Sequence, residues 1–163
     1  VKKASLIGVE FDKTIKEGNQ LQSKWSHHPL GLMYLISSVG KNTLHSKILN
    51  TITCENAGED AKKIILEFGP DLIGIRALSI CAGRFKAMAE IIRQEAPKTP
   101  LIAGGPYSSA SIKDILASPP LVDLVVIGEG EITFVELLTW LQDKGPLPSS
   151  LMGAVVPFQG QVQ

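Results

Sequence analysis

Short, continuously apolar runs recur along this chain, and each is followed by a segment whose apolar residues have helical spacing. The runs lie at residues 6–9, 44–52, 72–75, 101–103 and 122–127. Strands that are apolar throughout, rather than at alternate positions, are typical of parallel sheets buried on both faces. The pattern therefore predicts an α/β fold: a doubly wound, five-stranded, mostly parallel sheet with helices on both faces.

Apolar residues spaced at i, i+3, i+4 and i+7 predict the helices between these strands. They lie at residues 30–39, 61–68, 85–92 and 134–141, with a further short helix around residues 111–116. The Gly-Pro-Leu-Pro segment at 145–148 is expected to end the last helix. We predict an α/β domain over residues 1–148 and a C-terminal hairpin or linker over residues 149–163.

Composition excludes several classes of function. Sixteen basic and sixteen acidic residues cancel, so no charge excess points to nucleic acid or to an anionic membrane surface. No apolar run reaches the ~18 residues of a membrane span. Cys54 and Cys81 are too few for a disulfide framework, and a cytoplasmic location is expected. There is no CxxxCxxC motif, so this chain alone is not expected to carry a radical-type iron–sulfur cluster.

Glycines collect after the fourth and fifth predicted strands, at Gly104-Gly105 and at Gly128-Glu129-Gly130. In doubly wound sheets, ligands bind beyond the carboxyl ends of the strands, and glycine lets a ligand approach the backbone closely. A single such glycine serves turn geometry equally well. Two glycine turns on one edge favour a ligand pocket.

Common nucleotide-binding motifs are missing from the expected positions. Residues 9–13, after the first strand, contain no GxGxxG, and the chain has no P-loop. The GxG at residues 128–130 is flanked by Glu129 and Glu131, whose carboxylates would repel a phosphate. An ordinary dinucleotide-binding or nucleotide-hydrolysing enzyme is therefore disfavoured.

Several segments, taken in order, resemble a known family. They are Pro29-Leu30-Gly31-Leu32, residues 70–75 (PDLIGI), Ala103-Gly104-Gly105-Pro106, and residues 126–138 (VIGEGEITFVELL). This ordered set resembles the N-terminal cobalamin-binding domain of cobalamin-dependent radical SAM enzymes, which has a Rossmann-like or flavodoxin-like fold. The resemblance implies cobalamin as the cofactor. It also implies a covalently following radical SAM domain beyond residue 163, where S-adenosylmethionine and a 4Fe-4S cluster would bind.

The resemblance also implies positions for the binding residues. Wider relatives use DxHxxG, SxL and GG motifs, with the cofactor's nucleotide tail buried against the sheet. Here Ser26-His27-His28-Pro29-Leu30-Gly31 reads SxHxxG and places His28 at the cobalt-ligand position. The other implied cofactor-binding residues are Pro29, Leu30, Gly31, Arg76, Ala77, Leu78, Ser79, Gly104, Gly105, Pro106, Tyr107, Gly128, Glu129, Gly130 and Glu131.

Two departures from the relatives' motifs bear on this interpretation. Ser26 stands where the relatives have an aspartate that orients the ligating histidine, and Arg76 stands where they have a small serine. Arg76 could instead reach a phosphate or an amide of the ligand. His28 is either a cobalt ligand or a loop residue at the start of a helix with Pro29 at its first position.

Other residues at this edge have two interpretations each. Tyr107 could pack or bind, and Ser108, Ser109 and Ser111, expected in the turn before the short helix, could contact the ligand or cap that helix. Glu129 and Glu131 could border the cofactor or interact with a helix dipole. Cys81 and Arg84 are expected in the loop after the third strand.

The resemblance implies a cobalamin-binding domain that positions the cofactor for methyl transfer or related radical chemistry in a larger enzyme. The fragment alone is expected to bind without turnover, with no nucleic-acid or membrane partner. The main alternative is a docking module that keeps the fold and no longer binds cobalamin. A domain for another nucleotide-tailed or phosphate ligand and a receiver-type signalling domain fit less well, because the residues after the first and third strands do not suit them.

Overall fold

The structure is a computed structural model that describes residues 2–9, 29–39, 44–51, 56–117, 119–143, 151, 153–155, 157–158 and 161–162. Ser26, His27 and His28 lie outside the described residues, as does Cys54. The structure therefore bears on every predicted site residue except His28.

Strands and helices alternate along the described chain as the apolar pattern predicts. The strands are β1 (Lys2–Val9), β2 (Leu44–Asn50), β3 (Leu72–Ala77), β4 (Leu101–Gly104), β5 (Leu124–Val126), β6 (Ala154–Val155), β7 (Pro157–Phe158) and β8 (Gln161–Val162). The helices are α1 (Leu30–Ser37), α2 (Ala57–Phe68), α3 (Ala82–Glu95), α4 (Gly105–Ala110), α5 (Ile112–Ile115) and α6 (Glu131–Asp143).

The main sheet has the strand order β2-β1-β3-β4-β5-β6. The first five strands pair in parallel, and the two-residue β6 pairs antiparallel with β5. The predicted five-stranded, doubly wound α/β sheet is confirmed, with a short antiparallel strand added at its edge. Because β1 lies between β2 and β3, the order reverses there, which is where such folds place ligand crevices.

Alternate residues of the central strands face two separate cores. Ile73, Ile75 and Ala77 of β3 belong to a core that includes Phe85 and Ile92 of α3. The opposite sheet face carries a second core of Leu32 from α1, Leu72 from β3, Ile102 from β4, Leu124 from β5, and Phe134, Leu137, Leu138 and Leu141 from α6. Burial on both faces explains why these strands are apolar throughout.

One aspartate connects the amino-terminal ends of two neighbouring strands to a helix. Asp123 Oδ2 accepts hydrogen bonds from Leu101 N at 2.8 Å and from Arg93 Nη2 at 2.7 Å. The Asp123 N–H donates to Leu101 O, also at 2.8 Å. These contacts join the starts of β4 and β5 to α3, at the edge of the sheet opposite the glycine turns.

Three local predictions are wrong. Cys81 ends a 3-10 turn (Ser79–Cys81) and Arg84 lies in α3, because the chain passes almost directly from β3 into helix. Ser108 and Ser109 lie within α4, which begins at Gly105 with Pro106 in its first turn, rather than in a turn before a later helix. Strand β5 is shorter than residues 122–127, because only residues 124–126 lie in the sheet: Leu124 and Val125 pair in parallel with β4, and Val126 pairs antiparallel with β6.

Candidate functional site

A cavity of about 380 Å³ lies between the second core face of the sheet and helices α1 and α6. It opens at the carboxyl ends of β3, β4 and β5, the edge at which the sequence places its glycine turns. Its lining is mostly apolar and includes Leu32, Leu35, Ile102, Phe134 and Leu137. The volume falls within the roughly 300–1,000 Å³ typical of small-molecule pockets.

Glycines in two neighbouring strands leave this space open. Side chains of a strand alternate between faces, so Leu72, Gly74 and Arg76 of β3 share the cavity face. In the ladder, Gly74 lies beside Ile102, and Arg76 lies beside Gly104. Because Gly74 and Gly104 have no side chains, the cavity extends closer to the backbone of the sheet at these two positions than elsewhere on this face.

Neither backbone geometry nor crowding requires glycine at position 104. Gly104 has an extended backbone with φ of −146°, which any residue adopts. Apart from Gly104 itself and its two chain neighbours, no atom of the described chain lies within 4 Å of the position that a Cβ would take there. The space beside Gly104 is thus part of the cavity, which fits a ligand that approaches the backbone.

Gly105, by contrast, is fixed by the protein itself. Its φ of +87° is a conformation that residues with a Cβ rarely adopt. A Cβ at this position would also lie 3.4 Å from Cβ and 3.5 Å from Nε of Arg76. The side chain of Arg76 therefore lies in van der Waals reach of Gly105, whose positive φ is what favours glycine at this position.

The opposite rim of the cavity is the turn between β5 and α6. It contains Gly128, with φ of +72°, followed by Glu129, Gly130 and Glu131. A Cβ at Gly130 would lie 3.4 Å from Leu35 Cδ2, so α1 lies within van der Waals reach of this rim. Glu131 is in the first turn of α6, where a carboxylate interacts favourably with the helix dipole.

Three serines of the α4 region have different environments. Ser109 lines the cavity. Ser108 is fully buried, and its Oγ has no hydrogen-bond partner within the described part of the chain. Ser111 joins α4 to α5 and makes no side-chain cap hydrogen bond. Ser109 is therefore the serine of this group that a ligand in the cavity would meet.

Comparison with known sequences identifies the family. The sequence model described as the B12 binding domain matches residues 21–138, which span most of the chain and every cavity-lining residue. The chain belongs to the B12-binding domain family. The expected resemblance to a cobalamin-binding domain is confirmed.

Two curated relatives are similar to this B12-binding domain. An uncharacterized methyltransferase, PH0819, of Pyrococcus horikoshii is 32% identical over 135 residues, which cover 83% of this chain and 29% of the relative. The cytidylyl-2-hydroxyethylphosphonate methyltransferase of Streptomyces wedmorensis is 29% identical, with 71% of this chain and 24% of the relative covered. The chain thus spans less than a third of the length of these relatives.

A solved structure shares the fold. The cobalamin-dependent S-adenosylmethionine radical enzyme OxsB superposes with a TM-score of 0.65 and 13% sequence identity. The match covers 100% of this chain and 22% of that chain. At this level of identity the likeness shows the fold, and it confirms the α/β architecture of the B12-binding domain.

The cavity of the B12-binding domain brings together more than half of the predicted site residues. Those that line it are Gly31, Arg76, Gly104, Gly105, Pro106, Gly128, Glu129, Gly130 and Glu131. They come from α1, β3, the β4–α4 junction and the β5–α6 turn. Their role in cofactor binding remains a prediction.

The other predicted residues lie elsewhere. Tyr107 is buried in the first core and packs edge-on against Phe85, with ring centroids 5.1 Å apart, and Ala77 is buried in the same core. Leu78 and Ser79 are exposed after β3, and Leu30 is 71% exposed at the start of α1. Pro29 is buried at the amino-terminal cap of α1.

Sequence reasoning missed most of the apolar lining. The missed residues are Leu32, Leu35, Leu72, Gly74, Ile75, Ile102, Ala103, Val126, Phe134 and Leu137. Apolar residues that line a cavity look like ordinary core residues in a sequence. Gly74 offered a signal, because an isolated glycine within an apolar strand often marks a close approach to the backbone.

The described residues lack two other kinds of feature: clustered metal ligands and helices that could span a membrane. Within them, no group of three or more histidine, cysteine, aspartate or glutamate residues could hold a metal ion. No helix in the described ranges is both long and apolar enough to cross a membrane. Metal coordination by His28 is therefore a question for the residues outside these ranges.

Proposed function

We propose that this chain binds cobalamin at the cavity and positions it within a radical SAM enzyme for methyl transfer or related radical chemistry. The observation that carries the proposal is the apolar cavity between the sheet and helices α1 and α6, in a chain of the B12-binding family. Its open glycine floor supports binding over the alternative of a docking module, since a module without a ligand gains nothing from an unfilled core.

The character of the cavity walls fits the cofactor. Cobalamin carries an aromatic base at the end of its nucleotide tail, and the deep part of the cavity is walled by Leu32, Ile102 and Phe134. The polar side chains lie at the rim, where the amide groups of the corrin ring would find hydrogen-bonding partners. The open space beside Gly104 would admit the tail close to the backbone of β4.

Each group of residues has a proposed task. The glycines at 74 and 104 leave room for the tail, and the apolar side chains of α1 and α6 exclude water from it. Ser109, Glu129 and Glu131 would orient the polar groups of the ligand. His28 would coordinate the cobalt of the bound cofactor. The cofactor itself supplies the methyl-transfer or radical chemistry, and the protein supplies binding and orientation.

The first test is a titration of the purified protein with hydroxocobalamin, followed by visible absorption. We expect saturable binding by the natural sequence. Gly104→Val should weaken it about tenfold or more, because the new side chain would start in the open space beside Gly104, which lines the cavity. Ala87→Val adds bulk at an exposed position of α3, on the opposite sheet face, and should bind normally.

Two further outcomes of the titration are informative. Folded protein that fails to bind hydroxocobalamin would contradict the proposal and favour the docking module. In a second series, a cobalt spectrum altered by His28→Ala would support axial ligation by this residue. Unchanged spectra with intact binding would leave cobalamin binding in place and remove His28 from its proposed role.

A further inference from the structure

The electrostatic character of the cavity is set by few side chains. Of the cavity-lining residues in the part of the chain that the structure describes, Arg76 alone is positively charged. Glu129 and Glu131 lie at the β5 side of the rim, and β4 separates them from β3, which carries Arg76. The two sides of the rim therefore carry opposite charges.

The position of Arg76 is set by its glycine neighbours. Arg76 lies beside Gly104 in the parallel ladder, and its Cβ and Nε lie close to the Cβ position of Gly105. Larger residues at 104 or 105 would take up the space next to the arginine side chain. The chain thus places Arg76, a half-buried residue, in the lining of an apolar cavity near the carboxyl end of β3.

A guanidinium in this position is suited to an anion. Its planar fork donates two parallel hydrogen bonds to phosphate oxygens, and such charge-assisted bonds are stronger than neutral ones. Partial burial strengthens the interaction relative to water. The carboxylates of Glu129 and Glu131 repel an anion from the other side of the rim. An anionic group of a ligand is therefore directed to the β3 side.

We propose that Arg76 binds the phosphodiester of cobalamin, and that it selects corrinoids that carry this phosphate over corrinoids that lack it. The phosphodiester joins the aromatic base to the corrin ring, and it is the anionic group among side chains that otherwise end in amides. The mouth of the cavity is where such a linker would pass when the base is inside. This inference rests on the proposed cobalamin binding.

The test compares two corrinoids on the same variants. Hydroxocobalamin carries the phosphodiester and the base, whereas cobinamide has the corrin ring and its amides without either. Arg76→Gln is expected to weaken hydroxocobalamin binding by roughly 10- to 100-fold, the usual effect of losing a hydrogen-bonded charge pair, and cobinamide binding by less than about twofold. The preference for the complete cofactor should therefore fall.

Two further variants separate a direct contact between Arg76 and the phosphate from an effect of the protein's overall charge and from a loss of folding. Arg84→Gln removes the same charge from α3, outside the cavity lining, and should leave the preference unchanged. Arg76→Lys keeps the charge without the planar fork and should bind hydroxocobalamin with intermediate affinity. Thermal unfolding of each variant shows whether it is folded, and an unfolded Arg76→Gln leaves Arg76→Lys to decide.

Salt dependence gives a second readout that needs hydroxocobalamin alone. In the protein with the natural sequence, the affinity for hydroxocobalamin should fall as the salt concentration rises. The fall should be smaller in Arg76→Gln. The inference is overturned if Arg76→Gln weakens both corrinoids equally, if Arg84→Gln has the same effect, or if the salt dependence does not change. No hydroxocobalamin binding by the natural sequence would instead contradict the proposed function itself.

Discussion

At the scale of single residues, Gly104 and Gly105 are neighbours with different constraints. Gly105 has a positive φ and lies against the Arg76 side chain, so the folded protein itself requires glycine there. Gly104 has ordinary extended geometry and open space around it. The two adjacent glycines thus have different causes: the backbone conformation favours glycine at position 105, whereas position 104 is open for a ligand.

Substitution of alanine at these positions should separate the two constraints. We expect Gly105→Ala to lower the free energy of unfolding by about 1–2 kcal/mol, because the left-handed conformation is strained for alanine. Gly104→Ala should change it by less than about 0.5 kcal/mol. Urea denaturation measures both. Gly69→Ala, at φ of +59° and without close neighbours, is the control for the conformational cost alone.

The difference between the losses for Gly105→Ala and Gly69→Ala would measure the added effect of the contact with Arg76, because both positions have a positive φ. If Gly104→Ala proved as costly as Gly105→Ala, the open space at position 104 would not exist in solution. The proposed place for the cofactor's tail would then lose its main structural support.

At the scale of elements, the start of β4 and the start of β5 depend on Asp123. Its carboxylate accepts from the buried Leu101 N–H and from Arg93. Asp123→Ala should lower the free energy of unfolding by roughly 1–3 kcal/mol, because a buried backbone donor loses its acceptor. The ion pair is partly exposed and adds less.

This edge lies opposite the cavity mouth, so Asp123→Ala should keep the corrinoid affinity of whatever fraction remains folded. Urea denaturation and hydroxocobalamin titration on the same sample check both halves of this prediction. A loss of affinity without a loss of stability would show that the two edges of the sheet are coupled.

Element types and buried faces were predictable from the sequence, whereas element ends were less so. Phe85, Met88, Ala89 and Ile92 form the buried side of α3 as their spacing predicts. Val122 is fully buried but lies outside β5, because apolarity reports burial rather than membership of a hydrogen-bonded ladder. The start of α4 was missed although Pro106 is typical of a first helical turn.

The candidate site was predictable where glycine marks a strand end and not where apolar side chains line it. The turns at 104–105 and 128–130 reach the cavity rim as expected. Phe134 and Leu137 have the spacing of core residues, and only their place opposite Gly74 and Gly104 makes them cavity walls. Long-range juxtaposition of this kind has no local signature in a sequence.

At the scale of the whole molecule, the cavity lies on the side of the sheet that carries the second core, between the sheet and helices α1 and α6. Helix α1 has eight residues, no side-chain hydrogen bond at its amino-terminal cap and no charged residue in its end turns, so it depends on packing over the cavity. The α2–α3 side carries the other core, whose buried residues include Phe85 and Ile92. A ligand in the cavity would complete the packing of one side of the sheet.

Binding should therefore stabilise the protein unevenly. Hydroxocobalamin at 100 times its dissociation constant should raise the free energy of unfolding by about 2.7 kcal/mol, with a matching rise in the melting temperature. Hydrogen exchange should slow more in α1 and α6 than in α2. Equal protection of all three helices would contradict binding between α1, α6 and the sheet. Gly104→Val at the same cofactor concentration is the control: it should show both effects weakened, with at most about 1.4 kcal/mol of stabilisation for a tenfold loss of affinity.

The short strand β6 has a mechanical consequence. It pairs with β5, and Gly153 O accepts a hydrogen bond of 2.7 Å from Ile127 N, next to the rim turn of Gly128 and Glu129. A Cβ at Gly153 would lie 3.3 Å from Thr133 Oγ1 in the first turn of α6, so little slack separates these segments. A force on residues 153–155 would thus be transmitted to the rim turn of Gly128 and Glu129. Conversely, a displacement of this rim turn would move residues 153–155.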